Sequence, residues 1–401
     1  MTARRAVLVL NAGSSSLKFA AFDAAEPTRA TMRGEIENLD DAPRFSAVDG
    51  HGAALAGPNW PSGRPADFAA LITGLMAFVD DHVGDGALIA VGHRVVHGGG
   101  AHVKPERVTP ALLDALRALT PLDPLHLPRN LGPIQAIGDA LPALPQVACY
   151  DTAFHATMPP EAAQFALPRA LTQAGVRRYG FHGLSYEYIA GRLEADAPRL
   201  AKGRVIVAHL GAGASLCALR AGKSVATTMG FSALDGLVMA TRCGSLDPGV
   251  MLYLMRQGQS AAQIEDMLYR RSGLLGVSGV SGDMRVLEAS ADPRAREAIT
   301  QFTYRIATQI GALASALGGL DGLVFTAGIG QHAPAIRAEV GARLAWLGVR
   351  IDAGANAADA ARISAPDGAV DVRVIATDEE AMIARHTLAL VDAARTPADG
   401  L

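Results

Sequence analysis

The feature that most constrains this chain is a short apolar run that enters a turn rich in glycine and serine and leaves it as a second apolar run. Residues 7–10 (VLVL) are too few for a buried helix and predict a buried strand, and residues 17–22 predict its outgoing partner. The turn between them, NAGSSS at residues 11–16, lacks the helix that follows a Walker phosphate loop. It predicts a β-hairpin whose polar tip is either a plain turn or a cradle for nucleotide phosphates.

The same pattern recurs in the second half of the chain. Residues 204–210 predict a strand, residues 211–214 (GAGA) a turn, and residues 215–219 an outgoing strand. A repeat of such long period indicates the duplication of a whole domain rather than a solenoid. Helical patterns and later strands follow each copy, so the sequence predicts an α/β fold in both halves. With 401 residues, half of them hydrophobic, the chain can bury two cores of medium size.

Composition argues against several classes of function. The net charge of −3 provides no electrostatic basis for binding nucleic acid or an anionic membrane. Cys149, Cys217 and Cys243 are far apart and odd in number, which favours a reducing compartment over a disulfide framework. Arg4 and Arg5 precede an apolar run that is too short for a signal peptide. We therefore expect a soluble cytoplasmic protein with neither nucleic acid nor membrane as a partner.

Helical periodicity and capping residues predict most of the remaining elements. Thr109 followed by Pro110 predicts a helix start, with the helix running to about Leu119. Acidic residues at 378–380 predict the start of a terminal helix that runs to about residue 394. Further predictions include helices at 248–257, 260–271, 293–317 and 334–347, and strands at 323–326 and 372–376.

A series of short motifs runs in order from residue 11 to residue 383. The motifs are NAGSSSLK (11–18), GHRVVHGG (92–99), DTAFH (151–155), RYGFHG (178–183), MGF (229–231), TR (241–242), SGLLGVSG (272–279), FTAGIG (325–330) and TDEE (377–380). Each motif is weak alone, but the ordered series resembles the acetokinase family. That family belongs to a superfamily that also contains sugar kinases, actin and the heat-shock chaperone ATPases.

The resemblance implies an α/β fold of two duplicated actin-like ATPase (ribonuclease H-like) domains with an interdomain active-site cleft. Residues 1–150 and 383–401 would form the N-terminal acetokinase domain, and residues 151–382 the C-terminal nucleotide-binding domain. The family also implies a homodimer and reversible, direct in-line transfer of the ATP γ-phosphoryl group to acetate, giving acetyl phosphate and ADP. Mg²⁺ would be the metal, with Mn²⁺ as an alternative.

The motifs contain arginine and histidine side chains, which are the types that transfer of a phosphoryl group to a carboxylate requires. Acetate is already ionised at pH 7, so the site needs positioning and charge neutralisation rather than a strong base. By resemblance, the catalytic residues are Asp151, His182 and Arg242, the substrate-binding residues are Arg94 and His126, and the metal ligands are Asn11 and Glu379. From the residues alone, Arg94 also fits a structural ion pair and Asp151 a helix cap. Glu380 remains an alternative to Glu379.

The resemblance also implies a set of nucleotide-binding residues. They are Ser14, Ser16 and Lys18 in the first hairpin, His209, Gly211 and Gly213 in the second, and Asp283, Met284, Arg285, Gly328, Ile329 and Gly330 around the adenosine. Glycines at such positions allow the backbone to approach a ligand closely, although tight turns alone would also explain them.

Several positions depart from the family pattern. Leu127 and Ala212 both stand where asparagine is usual. Because Ala212 belongs to the second glycine loop, that loop is expected to lack one phosphate contact. Leu184 and Tyr186 replace threonine and histidine, and His182 is thereby expected to lose two polar neighbours. Further departures are Ala226, Ser245, Met284, Gln331 and His332.

Two alternative functions follow from these departures. The acyl pocket is expected to include Val96, Leu125 and Ala233, and alanine at 233, where proline is usual, would loosen its wall. A propionate or butyrate kinase of the same family is therefore the first alternative. A non-catalytic, nucleotide-switched binding protein on the same fold is the second, and only the change at Ala212 favours it.

Overall fold

The computed structural model describes residues 5–13, 16–39, 41–58, 68–84 and 87–393, so Ser14 lies outside the described residues. The chain divides into two compact units. The first contains the chain up to Ala153 and from Asp378 onward, and the second contains Phe154–Thr377. Each unit is an α/β structure built around one mixed sheet. The domain limits at residues 150 and 383 stay a prediction.

The first unit contains a seven-stranded sheet of order β4-β3-β2-β1-β5-β7-β6. Its strands are β1 (Ala6–Ala12), β2 (Ser16–Asp23), β3 (Ala30–Glu37), β4 (Arg44–Asp49), β5 (Leu88–Val95), β6 (Glu106–Arg107) and β7 (Gln146–Tyr150). Its helices are α1 (Phe68–Val83), α2 (Pro110–Ala118), α3 (Leu127–Ala140) and α16 (Glu379–Ala393). The predicted first hairpin is confirmed, since β1 and β2 pair antiparallel with Asn11 opposite Lys18.

The second unit contains a five-stranded sheet of order β10-β9-β8-β11-β12. Its strands are β8 (Arg204–Leu210), β9 (Ala214–Arg220), β10 (Lys223–Thr227), β11 (Gly322–Thr326) and β12 (Asp371–Val374). Its helices are α4 (Pro160–Ala163), α5 (Arg169–Gln173), α6 (Gly183–Asp196), α7 (Pro198–Ala201), α8 (Pro248–Arg256), α9 (Ala261–Arg270), α10 (Gly273–Ser278), α11 (Met284–Ala289), α12 (Pro293–Leu317), α13 (Ala327–His332), α14 (Pro334–Arg343) and α15 (Ala353–Ala357). Among the described residues, no helix is both long and apolar enough to cross a membrane.

The two sheets share one topology. In the first unit an antiparallel meander β3-β2-β1 continues into parallel strands β5 and β7. In the second unit the meander β10-β9-β8 continues into parallel strands β11 and β12. The duplication predicted from the repeated hairpin is therefore confirmed at the level of strand order and direction.

Local signals located several helices correctly. Thr109 caps α2, because its side chain accepts a hydrogen bond from the amide of Leu112 at 3.1 Å. The helix predicted at 293–317 is α12, with Asp292 as its cap. The helix predicted at 334–347 is wrong at its end, since α14 stops at Arg343 and a short 3₁₀ turn, Ala345–Leu347, follows.

Helix α3 had no counterpart in the sequence-based predictions. Pro128 lies in its first turn, where a missing amide costs nothing, but Pro133 lies inside it. Prolines so spaced indicate a loop rather than a helix. The helix nevertheless buries Leu131 and Ile134, so tertiary packing outweighs the poor local propensity.

The buried face of α12 allows a test of this packing. Phe302 is fully buried, whereas Tyr304 on the same helix is 51% exposed. F302A should lower the free energy of unfolding by about 3–5 kcal/mol, because it removes apolar contacts and leaves a cavity. Y304A should change it by less than about 0.5 kcal/mol. Urea unfolding followed by circular dichroism measures both, and equal effects would contradict the assigned core.

Candidate active site

In the first unit, polar side chains gather where parallel strands end. The strands β1, β5 and β7 run parallel and are neighbours, so their carboxyl ends meet at one edge of the sheet. Asn11 lies near the end of β1, Arg94 near the end of β5, and Asp151 directly after β7. Ligand sites of α/β sheets form at such edges. The fold thus brings together three of the predicted site residues.

The Arg94 guanidinium is the centre of this cluster. Its Nε donates to Asp151 Oδ2 at 3.0 Å, its Nη2 donates to the same oxygen, and its Nη1 donates to Asn11 Oδ1 at 3.1 Å. Glu379, the first residue of α16, places Oε2 4.0 Å from the Arg94 Nε. We name these four residues the arginine cluster. It joins positions that are far apart in the chain.

Burial and charge set the ionisation of the arginine cluster. Burial alone would lower the pKa of Arg94, but Asp151 and Glu379 raise that pKa above its ordinary value, so the guanidinium stays charged. Burial raises the pKa of Glu379 to about 7; Arg94 opposes this rise and Asp151 adds to it. Near neutral pH the Glu379 carboxyl is therefore partly protonated, and a bound cation would favour the ionised form.

The oxygen atoms of the arginine cluster suit magnesium. Asp151 Oδ1 is buried and has no hydrogen-bond partner among the described residues. Buried polar atoms are normally satisfied, so an unsatisfied carboxylate oxygen indicates a missing partner. Carboxylate and amide oxygens are the protein ligands that Mg²⁺ takes, commonly one or two at a time. No cluster of three or more His, Cys, Asp or Glu side chains suited to a metal occurs in the described ranges.

The predicted carboxylate-binding residue His126 lies at the start of α3. Its Nδ1 is 2.8 Å from Asp123 Oδ1, which fixes the orientation of the ring. Asp123 also contributes to raising the pKa of Arg94, so it acts on both predicted substrate-binding residues.

Asn130 was missed at the level of sequence. Its Oδ1 accepts from the amide of Val96 at 2.8 Å, and its Nδ2 donates to the carbonyl of Ala12 at 2.7 Å. The side chain is buried and therefore ties the chain after Asn11 to the chain after Arg94. The only sign of Asn130 in the sequence is a polar residue, four positions after His126, where the packed side of a helix usually has an apolar one.

In the second unit, two imidazoles stack beside the second glycine loop. His182 and His209 have ring centroids 4.1 Å apart and an interplanar angle of 15°. His182 precedes α6 in a left-handed backbone conformation, with φ of 59°. A Cβ added to Gly213 would lie 3.2 Å from His182 Nε2, so glycine is needed for the ring to approach the loop this closely.

Hydroxyl groups hold both imidazoles. Ser215 Oγ lies 2.8 Å from His182 Nδ1, and Ser185 Oγ lies 2.8 Å from His209 Nδ1. Tyr186 places its hydroxyl 2.5 Å from Ser215 Oγ. The expectation that His182 loses two polar neighbours is therefore wrong for Tyr186, which keeps a polar link to the histidine through Ser215.

Arg242 is held by the backbone of a predicted pocket residue. Its Nη1 donates to the carbonyl of Ala233 at 3.1 Å, and its guanidinium lies 6.0 Å from the centre of the Tyr269 ring. A shift of the Ala233 backbone would therefore move the predicted catalytic arginine. This contact joins a predicted acyl-pocket residue to the predicted catalytic arginine within one segment.

A cavity of about 460 Å³ in the second unit collects most of the predicted adenosine residues. It is lined by Gly211, Ala212, Ala240, Gly282, Asp283, Met284, Arg285, Glu288, Gly328, Ile329, His332 and Ala333. Six predicted nucleotide residues are in this set, whereas Gly330 is buried beside it. Glu288 and His332 were not predicted as nucleotide contacts.

Arg337 supports one wall of this cavity and was also missed. It is fully buried, and its Nη1 donates to the carbonyls of Gly330 and Gln331 at 3.0 and 2.7 Å. Its Nε donates to Asn356 Oδ1 at 2.7 Å. An arginine in a helix pattern is usually exposed, so the sequence offered no sign of this role.

The predicted phosphate-binding residues Ser16 and Lys18 belong to the β1–β2 hairpin of the first unit. Lys18 faces Asn11 across β1 and β2, and the Gly13 amide donates to the carbonyl of Ser16 at 2.7 Å, which closes the tip. Their contacts with phosphate stay a prediction, as do all the assigned roles in catalysis and metal binding.

The comparisons with known proteins agree with one another. A family model described as the Acetokinase family matches residues 6–385. The chain is 54% identical to the acetate kinase of Rhodopseudomonas palustris over 97% of this chain and 99% of that protein. It is 48% identical to the acetate kinase of Rhizobium meliloti, over 97% of this chain and 99% of that protein.

Solved structures give the same result. The Porphyromonas gingivalis acetate kinase superposes with a TM-score of 0.87 at 37% identity, over 96% of this chain and all of that one (100%). A propionate kinase from Francisella tularensis superposes with a TM-score of 0.89 at 36% identity, over 96% of this chain and 99% of that one.

The raised pKa of Glu379 generates a prediction about stability. The folded state holds this proton more tightly than an unfolded chain, in which the ordinary pKa is 4.5. The stability that the group contributes is therefore complete below pH 4.5 and is lost as pH rises through about 7. In EDTA, E379Q should be more stable than the wild type at pH 8 by on the order of 1–3 kcal/mol, and nearly equal at pH 5.

Thermal unfolding measures this effect, with E380Q as the matched control. Glu380 lies 3.6 Å from Arg33 and is next in sequence. E380Q should show a much smaller gain at pH 8 than E379Q, because Glu380 contributes only a minor part of the raised Glu379 pKa and also pairs with Arg33. Added Mg²⁺ should stabilise the wild type and E380Q but not E379Q. The reverse pattern would assign the metal to Glu380 instead.

Proposed function

The chain belongs to the acetokinase family, and from this premise we propose that it is an acetate kinase. It would transfer the γ-phosphoryl group of ATP reversibly to acetate, giving acetyl phosphate and ADP. The observation that carries the proposal is the arginine cluster, in which a partly buried guanidinium is kept charged at the carboxyl edge of a sheet. The stacked histidines and the adenosine-sized cavity in the second unit support it.

Arg94 is suited to hold the acetate carboxylate. A guanidinium has five N–H groups in a planar fork that matches a carboxylate. Asp151 and Asn11 accept three of them within the described part of the chain. The others remain for the substrate, while Asp151 keeps the fork from rotating. His126, oriented by Asp123, would complete the binding of the carboxylate.

The second unit would bind the nucleotide. Its cavity of about 460 Å³ is lined by Met284, Ile329 and Ala333, which are apolar and suit a purine base. The glycine loop at 211–213 lies against His182 and His209, where the phosphates would lie. Asp283 accepts from the Arg285 amide at 2.9 Å, which shapes the start of α11 at the cavity rim. Ser16 and Lys18 in the first unit would add phosphate contacts.

The transfer itself needs no proton abstraction. An ionised acetate oxygen attacks the γ-phosphorus in line with the departing ADP oxygen, and charge develops on the equatorial oxygens. Arg242 and the Nε2 side of His182 would neutralise that charge. Asn11, Asp151 and Glu379 would hold Mg²⁺, which when bound neutralises charge on the β- and γ-phosphates. We also propose that the functional domains have the limits predicted from the sequence, residues 1–150 with 383–401 and residues 151–382.

Acyl phosphate formation tests the proposal directly. In a hydroxamate assay with Mg·ATP, the protein should form acyl phosphate with a higher kcat/KM for acetate than for propionate or butyrate. R242A should lower kcat by about 10²–10³-fold with ATP affinity retained, because a group that acts on the transition state is removed. R305A, at an exposed arginine of α12, is the matched control and should keep wild-type activity.

The possible outcomes separate the alternatives. A higher kcat/KM for propionate or butyrate than for acetate would instead identify the longer acid as the preferred substrate. No acyl phosphate with any of the three acids, together with intact ATP binding, would overturn the proposal and favour a nucleotide-switched binding protein.

We also propose a cytoplasmic homodimer. Helix α8 has no buried residue, and its exposed side chains include Leu252 at 53%, Tyr253 at 57% and Met255 at 47%. Contiguous exposed apolar residues favour a protein interface, and we assign a second copy of this chain to it. The cytoplasmic location is proposed from the odd number and wide spacing of the cysteines, which favour a reducing compartment.

Substitution on α8 tests the dimer. L252E should convert the dimer to a monomer, because a charge would be buried in the apolar interface. L171E, at a leucine of α5 that is 42% exposed, should leave the dimer intact. Light scattering coupled to size-exclusion chromatography distinguishes the two masses. A monomeric wild type, or a dimeric L252E, would contradict this interface.

A further inference from the structure

Tyr186 replaces the histidine that is usual in the acetokinase pattern. It is fully buried in the first turn of α6. Its amide donates to the carbonyl of His182 at 3.0 Å, and its hydroxyl lies 2.5 Å from Ser215 Oγ. The same residue therefore contacts His182 through the backbone and reaches it a second time through Ser215. The proposed phosphoryl transfer assigns no role to this tyrosine.

Ser215 lies between a phenol and an imidazole. It is fully buried on β9, opposite His209 in the β8–β9 pair, and its Oγ is 2.8 Å from His182 Nδ1. A serine hydroxyl has one proton and two lone pairs, so it donates to one neighbour and accepts from another. The direction of the relay therefore decides which nitrogen of His182 carries a proton.

The phenol sets this direction. Tyrosine ionises near pH 10, so its hydroxyl is a much stronger donor than that of serine. If Tyr186 donates to Ser215 across their 2.5 Å contact, the one Ser215 proton is directed to His182 Nδ1. Neutral His182 consequently has its proton on Nε2, the nitrogen that faces Gly213 in the glycine loop. Second hydrogen bonds of this kind commonly fix the tautomer of a functional histidine.

We propose that Tyr186 is a positioning residue that holds His182 in the Nε2–H tautomer through Ser215. The imidazole then presents a donor to the transferring phosphoryl group while it is neutral. In the other tautomer, Nε2 would be a lone pair facing the phosphoryl oxygens and would repel them. The identity of the group that receives this donor rests on the proposed function, but the tautomer itself does not.

The test combines tautomer and kinetics. Long-range ¹H–¹⁵N spectra of histidine-labelled protein report the tautomer, with the His182 signal identified by its loss in H182Q. The wild type should show His182 protonated on Nε2, and Y186F should show a mixture with the Nδ1–H form. Y186F should lower kcat roughly fivefold to tenfold with the KM for ATP and acetate nearly unchanged, the effect of one lost hydrogen bond at the transition state.

Three further variants distinguish positioning from general packing. Y186H should restore both the tautomer and most of kcat, because its ring N–H can donate to Ser215. S215A should lower kcat as Y186F does, and the double variant should be no worse than S215A alone. Y188F, a partly buried tyrosine on the same helix, is the matched control and should behave as the wild type.

Several results would overturn the inference. They are an unchanged His182 tautomer in Y186F, a loss of kcat in Y186F that Y186H does not restore, and additive effects of Y186F and S215A. If Y186F does not fold, the tautomer in Y186H and S215A decides the matter. If the wild type forms no acyl phosphate, the proposed function fails, while the spectra still confirm or overturn the relay.

Discussion

The ion pair between the partly buried guanidinium of Arg94 and the fully buried carboxylate of Asp151 is the constraint on which the first unit depends. A charge removed from water must be paired, and breaking such a pair costs about 3–5 kcal/mol because the remaining charge stays buried. Here the partners come from the ends of β1 and β7 and from the first residue of α16. The terminal helix must therefore return to this sheet. Gly92 shows how closely it does so, since a Cβ there would lie 2.3 Å from Thr387 Oγ1.

In the second unit, neutral hydroxyl groups rather than charged side chains hold the predicted site residues His182 and His209 in place. Its two imidazoles stack, and serine hydroxyls rather than carboxylates hold their Nδ1 atoms. A carboxylate at that position would favour the charged imidazolium, whereas hydroxyl groups favour neither form strongly. The duplicated topology thus carries a charged cluster in one copy and a neutral relay in the other. Each involves the repeated strand-turn-strand element, through Asn11 on β1 in the first unit and through His209 on β8 and Ser215 on β9 in the second.

The predictable features were those with local causes. Helix α12 follows from an aspartate cap, a proline in the first turn and a helical stripe of apolar residues, all of them readable in one segment. Helix α3 escaped prediction because its prolines lower local propensity while its contacts with the sheet do not appear in the sequence. Asn130 and Arg337 escaped for a related reason. Each is a polar side chain whose burial depends on backbone groups supplied by another segment.

The sequence by itself determined the α/β class, the duplication and the family, because strand and helix periodicity, turn composition and ordered motifs are properties of short segments. Only the tertiary structure decided which oxygen atoms surround Arg94, which hydroxyl reaches His182, and that Tyr186 keeps a polar link where one was expected to be lost. These contacts join residues such as Asn11, Arg94 and Asp151 that are distant in the chain. Their distances depend on strand register and on how α16 packs against the sheet, which no local pattern records.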